Sequence, residues 1–522
     1  MRPLVPLSLL LLFAASASAQ TGAPVAITID VPDRLSAGDL ADVRYTVENT
    51  SDHSLTGVFF DMNVGYQANI VDFPTTSDPA ATCGQADPIT FTRIGCRFPE
   101  LTPHAKAVAT VPVHYPPHHY QLSLEVSAVS PYGTKTANRV AVFYRDYSVT
   151  TPANDGLGSF RQAILDTNAQ CSIATPCRIN FEIPDAPPAE GWFTIALSSP
   201  LPPVLAPDIN IDGERQTAIT GDTNPLGPEV FLDGRGVDIA DGLIVSNKAV
   251  VGGAVSSLVT VRGLAIGGFP GNGILMFQTI AHIEHNYIGT DPTGRVAVPN
   301  GLRGIMGDPF SAEISGNVLS HNARSGVFLL HAANIHDNRI EFNGASGVYL
   351  AGTTGFDFSV LAGNVIAGNR DFGVAFPQRG QLEVRGNTFA GNGWAAIDAG
   401  LDGPTLRIDS MAGPITAPRI TAARFDTASG DTIIEGKVTE AGFPPHDMNV
   451  YVYANGSVDA NGFAEGERFL GMPQLSQGTF TLRVHEDLRG RYIDANLTVR
   501  KYDDLDEHGT SEFGLALRVS DN

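Results

Sequence analysis

Residues 335–348 read Ile335-His336-Asp337-Asn338-Arg339-Ile340-Glu341-Phe342-Asn343-Gly344-Ala345-Ser346-Gly347-Val348. An aliphatic residue stands three before the first Asn and an apolar one two after it. A second Asn follows five residues on, and a small–aliphatic pair closes the unit. The same pattern recurs around Asn286, Asn317, Asn364 and Asn387, with Asn322, Asn369 and Asn392 as second Asn. The first repeat has Asp291 there, with Asn300 and Gly304-Ile305 displaced downstream. Steps between the first Asn residues are 31, 21, 26 and 23, so insertions fall in loops and the core register persists. A period near two dozen residues, with short β segments and no helical face, predicts a parallel β-solenoid. Each coil buries its aliphatic face only by stacking on its neighbours. Coils about 4.8 Å apart let identical amides bond up the stack. Asn286, Asn317, Asn338, Asn364 and Asn387, and Asn322, Asn343, Asn369 and Asn392, are therefore expected to be a structural ladder rather than a catalytic set.

Upstream, Asn154-Asp155-Gly156-Leu157-Gly158-Ser159-Phe160-Arg161-Gln162-Ala163-Ile164 resembles the CSLREA-type segment of exported bacterial right-handed parallel β-helix repeat proteins. Asn286-Tyr287-Ile288-Gly289-Thr290-Asp291-Pro292-Thr293-Gly294 with Asn300-Gly301 is similar to a signature of the same proteins. The segment lacks the Cys of that name and has Phe160 where Leu is usual. The resemblance implies a right-handed β-helix over about 146–412, opened by a helical cap at 154–170. Physically, Ser159 can N-cap a helix that hides the first coil's open edge.

On either side the period falls to two. Val25–Val31, Asp42–Asn49 and Val58–Val64 alternate between turn-rich clusters, as antiparallel sandwich strands do. Ala37-Gly38-Asp39, Val47-Glu48-Asn49-Thr50-Ser51 and Leu101-Thr102-Pro103 resemble immunoglobulin-like conserved-repeat modules of bacterial surface proteins, over 20–145. Ile433–Val438, Asn449–Tyr453, Thr479–Val484 and Asn496–Arg500 predict a second sandwich over 413–522. The expected fold class is thus all-β, a β-helix flanked by two sandwiches.

Arg2, the apolar run Leu4–Ala15 and Ser16-Ala17-Ser18-Ala19 predict a signal peptide over 1–19. No later stretch is expected to span a membrane, so the chain should reach the periplasm, the cell surface or the medium. Cys83 and Cys96, and Cys171 and Cys177, permit three pairings, of which the two local ones are simplest in an oxidising compartment. With 33 Lys+Arg against 55 Asp+Glu the net charge is −22, which argues against nucleic acid as partner.

Stacking the repeats places chemistry-bearing residues in columns. Glu284 and His336 should lie two coils apart; Arg324, Asp371 and Trp394 share a turn column. A carboxylate beside an exposed ring suits a sugar, so Asp371, Trp394 and Arg324 are the expected ligand-binding residues. For catalysis the candidates are His285, His321, His336, Arg324, Glu284 and Tyr287, without a recognised lyase or polygalacturonase motif. No cofactor is required. Calcium is admitted at Asp459, Asn461 and Glu465 and at Asp504 and Asp506, where hard oxygens gather near Gly. His114, His118 and His119 read as a polar loop broken by Pro116-Pro117. The expected function is recognition of a polysaccharide or cell-surface glycan by a monomer without catalysis. The alternatives are a polysaccharide lyase or, after it, a glycosidase, and a structural spacer or adhesin.

Overall fold

The computed structural model describes residues 24–31, 40–64, 69–85, 92–114, 121–131, 133–142, 144–172, 175–246, 258–352, 358–376, 381–410, 413–439, 447–501 and 507–521. The signal peptide, His118, His119, Asp504 and Asp506 lie outside these residues. The chain forms two compact units, Met1–Arg145 and Asp146–Asn522. Among the described residues no helix is long and apolar enough to cross a membrane.

The first unit is a sandwich of two five-stranded sheets, paired antiparallel as period-two alternation demands. Its core is built from inward positions such as Val43, Tyr45, Val47, Phe60, Met62 and Phe98. Asn49 is buried and its Nδ2 donates to the carbonyls of His53, Leu101 and Thr102. Cys83 and Cys96 face each other on paired strands and form a disulfide.

The second unit is the right-handed parallel β-helix with its C-terminal module. Three sheets of nine, eight and seven strands run along it, and from Ile209–Asp212 onward each coil contributes one strand to each sheet. Strands Ser311–Ser315, Ala333–His336, Ser359–Ala362 and Leu382–Arg385 pair in parallel register in the first sheet. Val318–Ser320, Arg339–Glu341, Val365–Ala367 and Thr388–Ala390 do so in the second. Val327–Leu329, Val348–Leu350, Val374–Phe376 and Ile397–Ala399 follow in the third. The aliphatic residue of every strand points inward; Ile314, Ile335, Leu361 and Val384 form one fully buried file.

Two Asn columns run inside the turns. Asn286, Asn317, Asn338 and Asn364 each donate from Nδ2 to Oδ1 of the next coil's Asn, at 3.1, 2.9, 2.9 and 2.7 Å, ending at Asn387. Their backbone N–H groups donate to the same oxygens. The second column runs Asn300, Asn322, Asn343, Asn369, Asn392 with the same bonding. Asp291 is not in it: its carboxylate takes the amides of Arg295 and Val296 and caps the inserted turn. The residue before each first-column Asn is left-handed: His285, Gly316, Asp337, Gly363 and Gly386, φ from 53° to 66°. Such a corner turns the strand sharply, and the amide behind it satisfies the freed backbone groups.

Helix α1 (Phe160–Gln170) covers the first coil. Ser159 Oγ accepts from Gln162 N at 3.2 Å, while Phe160, Ala163, Ile164 and Thr167 are buried. Phe160 packs on Phe181 of the coil, and Cys171 at the helix C-cap is bonded to Cys177. A short helix the repeat pattern does not announce, α2 (Arg215–Thr220), follows Ile209–Asp212.

The C-terminal module, a two-stranded hairpin and sheets of four and five strands that are antiparallel except where Arg419–Asp426 pairs with Ser520–Asp521, packs into one continuous core with the β-helix. It also completes the hydrogen bonding of the last coil. Thr510 Oγ1 accepts from Val384 N (3.1 Å) and donates to Leu382 O (2.8 Å). Phe389 N donates to Gly466 O, Asn392 N to Glu465 Oε2, and Ala399 N to Glu512 Oε1. All three sheets thus end on the module rather than in water. Phe513 seals the junction edge-on to Phe389 and Tyr453.

Candidate functional site

The turn column Leu302–Arg324–Ala345–Asp371–Trp394 is continuous, each residue's N–H donating to the carbonyl one coil below. Asp371 and Trp394 are therefore adjacent, at 2.9 Å between Asp371 O and Trp394 N, and Arg324 lies two coils below Asp371. Trp394 is 64% exposed and sits edge-on to Phe372, with ring centroids 5.4 Å apart. It lies at a cavity of about 460 Å³ between the last coil and the module, together with Ile397, Phe463, Glu465, Glu467 and Phe513. Among the described residues no Lys, Arg or His lines this cavity.

The carboxylates around it are already in use. Glu465 Oε2 accepts from both N and Nδ2 of Asn392, so it terminates the second Asn column in place of a further coil. Asp459 Oδ1 accepts from Asn461 N and Phe463 N, holding its own loop closed. These bonds hold Asp459 and Glu465, two of the residues at which calcium is admitted, in place. A tighter acidic group, not foreseen from the sequence, is Asp398, Asp402 and Glu512, whose oxygens lie within 4.8 Å of one another. Glu512 accepts from the amides of Ala399 and Thr405, and Asp398 from those of Asp402 and Gly403. Burial pushes both carboxyls up, that of Glu512 to about 7. A carboxyl raised on folding stabilises below its unfolded pKa of 4.5 and loses that contribution as pH rises through 7. The melting temperature should therefore fall across this window, and Glu512→Gln should flatten the fall in a thermal-denaturation series. An unchanged slope in the variant would refute the assignment.

The catalytic candidates separate into three places. On the outer face of the first sheet, Arg262, Glu284, Ser315 and His336 stand in register, so Glu284 and His336 are two coils apart. Both His336 nitrogens face carboxylates, Nε2 that of Glu313 and Nδ1 that of Asp337. Burial alone would lower its pKa, but these two bonds outweigh burial and raise it. His321 occupies a left-handed corner, bonded to Ser320 Oγ and packed on Phe342. His285 and Tyr287 alone of the set share a pocket, of about 380 Å³, with Glu214 and Glu229.

One outward aromatic column escaped the sequence reading. On the outward face of the third sheet, Leu275, Met306, Phe328, Tyr349 and Ala375 stand in register. Phe328 and Tyr349 stack at 5.1 Å and 14°, and the Arg303 guanidinium covers Phe328 at 4.2 Å. The signal was present: each of these residues directly follows the aliphatic that closes its repeat.

Residues 303–410 match the family described as the right handed beta helix region. No curated protein matches this chain in sequence. Solved structures similar to parts of it include a cohesin module of a Clostridium perfringens family 33 glycoside hydrolase, at 14% identity over 23% of this chain and 97% of that one, TM-score 0.20. The enzymatically active domain of bacteriophage CBA120 tailspike protein 2 is 8% identical over 73% of this chain and 77% of that one, TM-score 0.23. A Bacteroides uniformis beta-glucuronidase is 8% identical over 95% and 61%, TM-score 0.16.

Proposed function

We propose that this chain is exported and recognises an extracellular glycan, seating a neutral saccharide in the cavity beside Trp394. The observation that carries the reading is an exposed Trp394 lining a cavity that has no cationic lining residue among the described residues. The indole face offers an apolar platform for the C–H face of a sugar ring, and the free oxygens of Glu467 and Asp459 can accept its hydroxyls. A uronate or sulfated chain would meet only carboxylates there and be repelled. Because Glu465 and Glu512 are committed to the backbone of the last coil, the cavity holds rather than cleaves. The two disulfides accord with an oxidising compartment. The resemblances at 154–164 and 37–51 support reading the first segment as a β-helix cap and the N-terminal unit as a presenting module.

Titration of the mature protein with neutral and acidic oligosaccharides, with and without calcium, tests this. Neutral chains should bind, and Trp394→Ala should weaken them about tenfold, near 1.4 kcal/mol. Preference for acidic chains, or indifference to Trp394→Ala, would refute the reading.

A further inference from the structure

The pocket that gathers His285 and Tyr287 lies far from this cavity, at the opposite, N-terminal part of the solenoid, and is built to a tighter specification. Three successive corners, Gly263, His285 and Gly316, are left-handed, and only the middle one carries a side chain. A Cβ on Gly316 would lie 2.3 Å from His285 Cδ2, and one on Gly263 would lie 2.5 Å from Glu214 Cγ. The two glycines therefore make the room in which an imidazole and a carboxylate meet: His285 Nδ1 is 2.8 Å from Glu214 Oε1. Glu214, whose other oxygen is 3.7 Å from Arg262 Nε, takes the Nδ1 proton as acceptor. That fixes the tautomer in which Nε2 carries the free lone pair.

Glu229 lines the same pocket and is 4% exposed. Its Oε2 accepts from the Thr217 hydroxyl at 2.6 Å. Burial is the largest influence on its carboxyl and, against the Thr217 hydrogen bond, raises its pKa above the usual carboxylate value. The loop carrying Asp222 to Glu229 is pinned by Tyr287 Oη donating to Leu226 O and by Asn224 Nδ2 donating to Pro228 O and Pro292 O. An imidazole oriented by a carboxylate and a second, buried carboxyl thus line one preorganised pocket.

We propose that the pocket of Glu214, Glu229 and His285 hydrolyses a glycosidic bond of a neutral saccharide. His285 Nε2 removes a proton from water as the water oxygen bonds to the anomeric carbon. The bond from that carbon to the departing oxygen breaks with its electron pair, and the Glu229 carboxyl protonates that oxygen. One water is consumed, two hydroxyls are formed, and the imidazolium and Glu229 carboxylate return to their starting states by proton exchange with solvent. Glu214 and Asp222 repel uronates, and among the described residues no Lys or Arg lines the pocket, so neutral glycosides are the expected substrates.

The test uses the mature protein with aryl and alkyl α- and β-glycosides of glucose, galactose, mannose, xylose and N-acetylglucosamine, and with neutral polysaccharides. Released phenol and new reducing ends are followed against pH. Hydrolysis is expected on at least one sugar. His285→Asn, which keeps a residue tolerant of the left-handed corner, should lose about a hundredfold or more. Glu229→Gln should lose as much on alkyl glycosides but only a few-fold on dinitrophenyl glycosides, whose departing oxygen needs no proton, and should abolish the alkaline fall of the rate. A merely structural role would depress both leaving groups alike. Absence of cleavage on every substrate, equal losses on both leaving groups, or wild-type rates in both variants, with unchanged circular dichroism, would overturn the proposal.

Discussion

Asn338→Ala should cost this protein about 4 kcal/mol of stability, far more than an ordinary surface Asn. The side chain is 2% exposed and lies mid-column. Its Oδ1 accepts from Asn317 N and Nδ2, both at 2.9 Å, and its Nδ2 donates to Ile314 O, His336 O and Asn364 Oδ1. Removing it orphans the buried Asn317 N–H and strips one partner from each of the other groups. A buried donor or acceptor left unpaired costs about 1–3 kcal/mol, and each lost bond between paired groups somewhat less. Asn338→Asp should be no milder, because a carboxylate cannot donate to Ile314 O or Asn364 Oδ1. Urea denaturation measures the difference; a loss below about 1 kcal/mol would mean that the column is a consequence of the coil rather than a support for it.

A chain ended after residue 410 should fail to remain a folded monomer. Removing the module uncovers three parallel edges at once, Leu382–Arg385, Thr388–Ala390 and Ile397–Ala399. It also deletes Thr510, Glu465 and Glu512, which satisfy the edges' polar groups, and Phe513, which covers Phe389. Such edges pair with any strand offered to them, so the expected products are oligomers and aggregate in size-exclusion chromatography with light scattering. A soluble truncated monomer with undiminished β circular dichroism would show that the last coil closes itself.

What could be read early and what could not follows the range of each interaction. The Asn columns, the inward aliphatic file and the Ser159 cap were legible because each coil repeats the same local geometry, so each position's environment is given by its place in the repeat. Asp291 misled the count because an inserted turn borrowed the repeat's spacing; only its bonds to Arg295 and Val296 distinguish it from Asn300, which stands in the column. His336 and His321 were visible as residue types but not as environments. Glu313 and Asp337 place a carboxylate at each ring nitrogen of the first, and Phe342 makes the second a packed corner.

The carboxylate chemistry shows the same division. The sequence by itself determined that the chain stacks coils, where the coils turn, which side chains face in, and that Asp371 and Trp394 meet, since all of these depend on spacing within the repeat or between adjacent repeats. Only the tertiary structure decided that Glu214 reaches His285 across 71 residues. It alone decided that Glu465 closes the column of Asn392 across 73. Glu214 comes from an irregular early coil and Glu465 from a module outside the repeat, so no period connects either to its partner. Their meeting depends on how the chain folds back on itself, a long-range packing outcome that local pattern does not encode.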